Sequence, residues 1–178
     1  IVTATTLMAN GAAFAHAVEL ARENPDLDVG CHLVLVGGQS LLRPGVDLPG
    51  SVTKMMAAIT AKVVQPYAEL RSQVLRILDA GMQPLHMDTH KHTHLFPPVL
   101  DALVRLSQEF SIPWVRRPFD LPMPEGPGST NVVPWLVKTS SRGIQFVRKR
   151  FEMVLEQYGC QSTDHFAGFQ MTGRFRAA

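Results

Sequence analysis

Residues 85–98 read LHMDTHKHTHLFPP, and this stretch decides the architecture. His86, Asp88, His90, His92 and His94 fall at every second position, and alternation by two puts such residues on one face of an extended strand. Leu95-Phe96-Pro97-Pro98 then ends the strand and opens a helix, because proline suits a helix's first turn and cannot continue a ladder. The chain has seven histidines, and four of them lie in this stretch. Same-face neighbours on a strand are roughly 6.6 Å apart at about 3.3 Å rise per residue. Two of these side chains can share one metal ion, but four cannot unless the chain bends. One or two are therefore expected as ligands, with the others as oriented neighbours or substrate contacts. An exposed histidine-rich tract can also bind metal adventitiously. An Asp-Thr-His flanked by apolar residues at a strand end favours a built site instead.

Outward from that stretch, strand and helix patterns alternate. Residues 1–7 (IVTATTL) are β-branched and read as a strand, followed by the turn signal Asn10-Gly11. Phe14, Val18 and Ala21 recur at helical spacing. Residues 29–36 (VGCHLVLV) form a nearly continuous apolar run, the mark of a strand buried on both faces. A Gly- and Pro-containing loop over 37–50 leads to a helical stretch over 51–80, broken or kinked near Pro66. There Leu70, Val74, Ile77 and Leu78 form the apolar stripe, with Gly81 as the stop. Val99, Leu103, Leu106 and Phe110 mark an amphipathic helix, and Trp114-Val115-Arg116 a short strand. Residues 119–130 read as a surface loop, Ile144 to Tyr158 as a further helix, and His165 to Met171 as a last strand. The expected class is α/β with mainly parallel strands, in a single domain over 1–178.

At 178 residues, with 46% hydrophobic and 18% charged side chains, the composition is that of a globular domain with a real core. A net charge of +2 gives no support for a nucleic-acid partner. Arg148-Lys149-Arg150 lies in a helical pattern and reads as a solvated face. No apolar run is long enough to span a membrane. Cys31 and Cys160 give neither zinc-finger spacing nor a disulfide framework, which fits a cytoplasmic location. Met55 and Met56 are expected as core filling, and Trp114 and Trp135 as buried.

His32 is the one polar side chain inside the 29–36 run. A buried imidazole has to be hydrogen-bonded or metal-bound. In α/β folds, ligand sites gather at the carboxyl ends of parallel strands. Two imidazoles and a carboxylate suit zinc or a similar divalent ion with open positions. Such an ion lowers the pKa of bound water to ~7 and polarises a carbonyl, so amide or ester hydrolysis is the natural reaction. The pattern by itself names neither the general base nor the general acid.

The chain resembles the YdjC-like carbohydrate deacetylases over nearly its whole length. IVTATTLMANGAAFAHAVELA (1–21) is similar to the segment after that family's first strand, and DVGCHLVLV (28–36) to its Gly-x-His-Leu strand. PLHMDTHKHTHLFPPVLDAL (84–103) is similar to its long His-x-Asp-x-His-x-His-x-His-x-x-Pro signature. STDHFAGFQMTGRF (162–175) most resembles the branch associated with hopanoid biosynthesis. The resemblance implies a partial, distorted β/α (TIM-like) barrel and a divalent metal ion, zinc or magnesium. It also implies removal of the acetyl group from N-acetylglucosamine units, in a chito-oligosaccharide or in an N-acetylglucosaminyl lipid such as a hopanoid head group. By position, His32 and His90 become the metal ligands. Asp88 and Arg116 become catalytic candidates, Arg116 either steering a carboxylate or forming a structural salt bridge. His86, His92 and His94 surround the metal or line the sugar site.

The family's Asn-Ala-Asp-Asp-Phe-Gly strand, whose acidic pair supplies the third ligand and the base, has no counterpart in residues 1–178. Its later Cys-His-Pro segment has none either, so the expected domain is incomplete at both ends. A barrel without its first strand leaves a sheet edge that stays open or pairs with a second copy as a homodimer. Two rival readings remain at this point. One is another amidohydrolase-type metalloenzyme, which calls for a further histidine and an aspartate late in the chain. The other is a non-catalytic metal- or sugar-binding module.

Overall fold

β-Branched and apolar runs become strands, and the 3.6-period stripes become the helices that cover them. A computed structural model describes residues 2–119 and 142–166, apart from the side chains of 142–144. The order is β1 (Ala4–Leu7), α1 (Phe14–Glu23), β2 (Asp28–Leu33), α2 (Val52–Thr60), α3 (Pro66–Asp79), β3 (His86–Thr89), a 3₁₀ turn (His90–Leu95), α4 (Pro97–Phe110), β4 (Trp114–Val115) and α5 (Arg142–Gln157). The helical stretch over 51–80 divides where Pro66 requires it: proline lacks an N–H and starts α3 instead of interrupting a longer helix. Ser51 caps α2 by accepting from the Lys54 N–H at 3.2 Å.

The four strands pair in sequence order, β1-β2-β3-β4, every pair parallel. Leu7, Cys31, Met87 and Val115 stand in one row across the sheet, and all four are buried. They share one core with Leu70, Val74 and Ile77 of α3 and Leu103 and Leu106 of α4. The pleat turns the next row the other way, and there His32 stands opposite Asp88. Parallel strands taken in chain order, with helical crossovers, make an α/β arrangement of the partial TIM-like kind. Among the described residues, no helix is long and apolar enough to cross a membrane.

Several local expectations are corrected. The strand read over 29–36 ends its ladder at Leu33, because the side chain of Gln73 takes over the Val34 backbone. Gln73 Oε1 accepts from the Val34 N–H at 2.8 Å, and Nε2 donates to the Val34 carbonyl at 2.7 Å. The histidine strand is also shorter than its alternation suggests. It stops at Thr89, and Lys91 and His92 take left-handed conformations with φ of 54° and 51°. That is an uncommon setting for side chains other than glycine, and it ends the common face before His92. Trp114 is 41% exposed rather than buried; Val115 beside it faces the core, so alternation sends Trp114 to the opposite side. Met55 is fully buried but Met56 is exposed. At the end of the chain Gln161 bridges to Trp114 in parallel, and no strand starts at His165 or Phe166. The loop read over 119–130 and Trp135 lie, from residue 120 on, outside the described residues, as does 167–171.

One glycine is needed for the two central strands to meet. A Cβ on Gly30 would come within 2.4 Å of both Cδ2 and the backbone carbonyl oxygen of His86. The carbonyl belongs to the neighbouring strand and cannot swing aside. Gly30→Ala is therefore expected to destabilise the fold by about 1–3 kcal/mol through overpacking, read as a lowered urea midpoint. An unchanged midpoint would show that the strands part freely.

Candidate functional site

Register alone brings the first pair together. His32 and Asp88 are partners across β2 and β3, and His32 Nδ1 donates to Asp88 Oδ1 at 2.6 Å. Asp88 is 1% exposed, and its other oxygen, Oδ2, forms an ion pair with Arg116 Nη1 at 2.5 Å. Arg116 directly follows β4, where its backbone N–H still bonds to the Met87 carbonyl at 3.0 Å. Burial by itself would raise the Asp88 carboxyl. The hydrogen bond from His32 and the Arg116 charge outweigh it and hold the carboxyl below its usual range. An ionised Asp88 keeps the His32 proton on Nδ1 and leaves the Nε2 lone pair facing away.

That lone pair meets His90. The bend after Thr89 sets His90 Nδ1 3.3 Å from His32 Nε2, with the rings edge to face at 78° and 5.5 Å between centroids. Burial lowers the His90 pKa, with the Lys91 charge adding to it, and so favours the neutral ring, the form that binds metal. Two nitrogens at about 2.0–2.1 Å from one tetrahedral zinc stand about 3.3 Å from each other. The spacing of this hydrogen-bonded pair equals that of two nitrogens on one zinc-like divalent ion, and a carboxylate placed as Asp88 is behind His32 is the usual partner of a metal-binding histidine. Among the described residues, no group of three or more His, Cys, Asp or Glu converges.

The remaining histidines separate by environment. His94 is fully buried. Thr89 Oγ1 accepts from its backbone N–H at 3.0 Å and lies 2.5 Å from its Nδ1, and its ring packs against Phe151 of α5. That is a core position, although His94 was expected to line the sugar site. His92 lies between the two environments, its ring 6.1 Å from His94 and 5.4 Å from Phe166. His86, also expected on the substrate side, stands at the amino end of β3. Its Nδ1 pairs with Asp28 Oδ2 at 3.1 Å and its Nε2 with the Thr5 carbonyl at 3.0 Å, so both ring nitrogens are engaged in tying three strands together.

Burial depresses the His94 pKa from 6.5 to about 3. Its folded value is lowered while the unfolded chain protonates near 6.5, so the unfolded state binds more protons as pH falls. Stability should drop by about 1.4 kcal/mol per pH unit through that window, or about 2 kcal/mol between pH 6.5 and 5. His90 contributes in the same direction. Urea unfolding across this range should show the slope, and His94→Leu should flatten it; an equal slope in that variant would reject the assignment.

Sequence reading missed a buried polar cluster beneath the 37–50 loop. Glu69 of α3 is 3% exposed. Its carboxylate accepts from Ser40 Oγ at 2.5 Å, Leu41 N at 3.1 Å, Leu42 N at 3.3 Å and Gln73 Nε2 at 2.9 Å. The signal was present: Glu69, Gln73 and Ile77 repeat at four-residue spacing, so the first two are polar residues on an apolar stripe. Asn10 fastens the same loop by donating to the Gln39 carbonyl at 3.1 Å. The loop leaves the carboxyl end of β2, the end at which His32 stands.

The family profile described as YdjC-like protein matches residues 1–178, the whole of the sequence. The chain belongs to the YdjC-like family. A crystal structure of a "putative cellobiose-phosphate cleavage protein" from Enterococcus faecalis V583 is similar in fold, with a TM-score of 0.60 and 19% sequence identity. The similarity covers 93% of this chain and 57% of that one. This YdjC-like chain thus spans little more than half the length of that protein, and at such identity the likeness speaks for the fold alone.

Proposed function

We propose that this YdjC-like chain carries the metal-binding part of a carbohydrate N-deacetylase, a hydrolase that removes the acetyl group from N-acetylglucosamine units. The observation that carries this reading is the convergence of His32 Nε2 and His90 Nδ1 at 3.3 Å, with His32 held from behind by buried Asp88. In it, His32 and His90 hold a divalent cation, zinc or magnesium. When bound, such an ion acidifies water and polarises a carbonyl. Asp88 keeps the His32 proton on Nδ1, so that Nε2 stays a lone-pair donor. Arg116, 39% exposed, balances the Asp88 charge and has further N–H groups to offer a substrate oxygen. The 37–50 loop, fixed by Glu69 and Asn10, borders the sugar side. A chito-oligosaccharide and an N-acetylglucosaminyl lipid both present the required acetamido group.

The test is acetate release from N-acetylglucosamine oligomers by the full-length protein, with and without added zinc, alongside a zinc titration. Zinc-dependent release supports the reading. Zinc binding with no release from any acetamido sugar replaces it with a metal- or sugar-binding module, a reading favoured by the presence of only two converging donors among the described residues.

A further inference from the structure

Nothing so far uses Phe166, and the chain takes trouble to place it. Gln161 N–H donates to the Pro113 carbonyl at 2.8 Å, and Val115 N–H to the Gln161 carbonyl at 2.9 Å. Ser162 Oγ donates to the Val115 carbonyl at 2.8 Å, and Arg117 Nη1 to the Asp164 carbonyl at 3.3 Å. Residues 161–164 therefore run beside β4 toward its carboxyl end. There the Phe166 ring meets His92 edge to face, 5.4 Å between centroids at 76°, and lies 6.0 Å from the Arg116 guanidinium carbon. Arg116 in turn pairs with Asp88, and Asp88 with His32. A half-buried flat apolar surface thus stands beside His92, with the Arg116 guanidinium 6.0 Å over its ring.

Pyranose rings combine a rim of hydroxyls with an apolar C–H face. Sites that take them need polar groups for the rim and an aromatic surface for the face. His92 and Arg116 supply the first, and Phe166 supplies the second. We propose that Phe166 is a substrate-contacting residue, the platform on which the apolar face of the acetamido sugar stacks. This rests on the deacetylase reading above.

The test uses the full-length, zinc-loaded protein with N-acetylglucosamine dimer, read by calorimetric binding and by acetate release. Phe166→Ala should raise Kd and KM about tenfold, as the loss of an aromatic contact does, with kcat held within about twofold and zinc content unchanged. Phe166→Trp should retain affinity. Phe166→Leu, which keeps apolar bulk without a flat face, should lose it, and it carries the test should the alanine variant fold poorly. Unaltered Kd and KM in the Ala and Leu variants would overturn the proposal while leaving the deacetylase reading intact. A fall in kcat at constant KM would also overturn it, making Phe166 a positioning residue for Arg116. If the unsubstituted protein neither binds nor deacetylates the sugar, both readings fall together.

Discussion

Asp88→Asn is expected to lower zinc affinity about 10- to 100-fold, the usual consequence of losing the carboxylate behind a metal-binding histidine. The substitution preserves shape and volume but not hydrogen-bond chemistry. Asp88 accepts from His32 Nδ1 at 2.6 Å on one oxygen and pairs its other oxygen with the Arg116 charge at 2.5 Å. An asparagine has one accepting oxygen and one donating nitrogen. Whichever way it is turned, its NH₂ faces either the His32 N–H or the guanidinium, donor against donor in a buried position. His32 then loses either its tautomer or its orientation, and Arg116 loses its counter-charge. Calorimetric zinc titration is the direct readout, and acetate release should fall at least as far. Acid unfolding provides a second one. Because the folded carboxyl is depressed, its stabilisation is present above the unfolded pKa and disappears as pH falls through the folded one. The Asn variant should lack that limb. Zinc affinity within twofold of the unsubstituted chain would show that Asp88 does not orient His32.

Glu69→Ala should be the most destabilising single change at the polar cluster, costing of order 5 kcal/mol. The carboxylate is the common acceptor for four donors, and each buried donor left without a partner costs about 1–3 kcal/mol. Gln73 still holds the Val34 carbonyl, which keeps the sum below the additive limit. For a chain of this size the melting temperature should fall by roughly 10–20 °C. Glu69→Gln should lie between, since its amide answers some donors and opposes others. Amide exchange at Leu41 and Leu42 separates this from a general loss of stability: protection should vanish there first, while Met87 and Val115 stay protected. Simultaneous loss everywhere would show that the cluster supports the whole fold rather than its loop.

How far these features could be read in advance depended on the distance over which each is encoded. Pro97 marks a helix start by local chemistry alone, and Pro66, legible only as a break or kink, also begins a helix in the structure. The buried stripe of α3 followed from its spacing. His32 stood out because an imidazole in an apolar strand needs a partner, and Asp88 was its register mate. The end of β3 was not legible. Strict alternation through His94 promises an extended chain, and only the left-handed turn at Lys91 and His92 breaks it, a choice driven by tertiary packing against local preference. His94 illustrates the result, since the bend carries it into the core against Phe151. Glu69 was passed over because a charged residue on a helix is ordinarily solvated. Its partners lie nearly thirty residues away, in a loop whose path no local pattern gives.

The pairing of each strand with its immediate successor in sequence also sets an order of assembly. The β1–β2 and β3–β4 pairings join residues 24 and 28 apart, shorter loops to close than the 56 residues between His32 and Asp88. A chain emerging from the ribosome can add β2 to β1 and β3 to β2 without waiting for distant segments. The two nitrogens 3.3 Å apart belong to β2 and to the turn after β3, so they can meet once β3 has docked on β2, before β4 is added to the sheet.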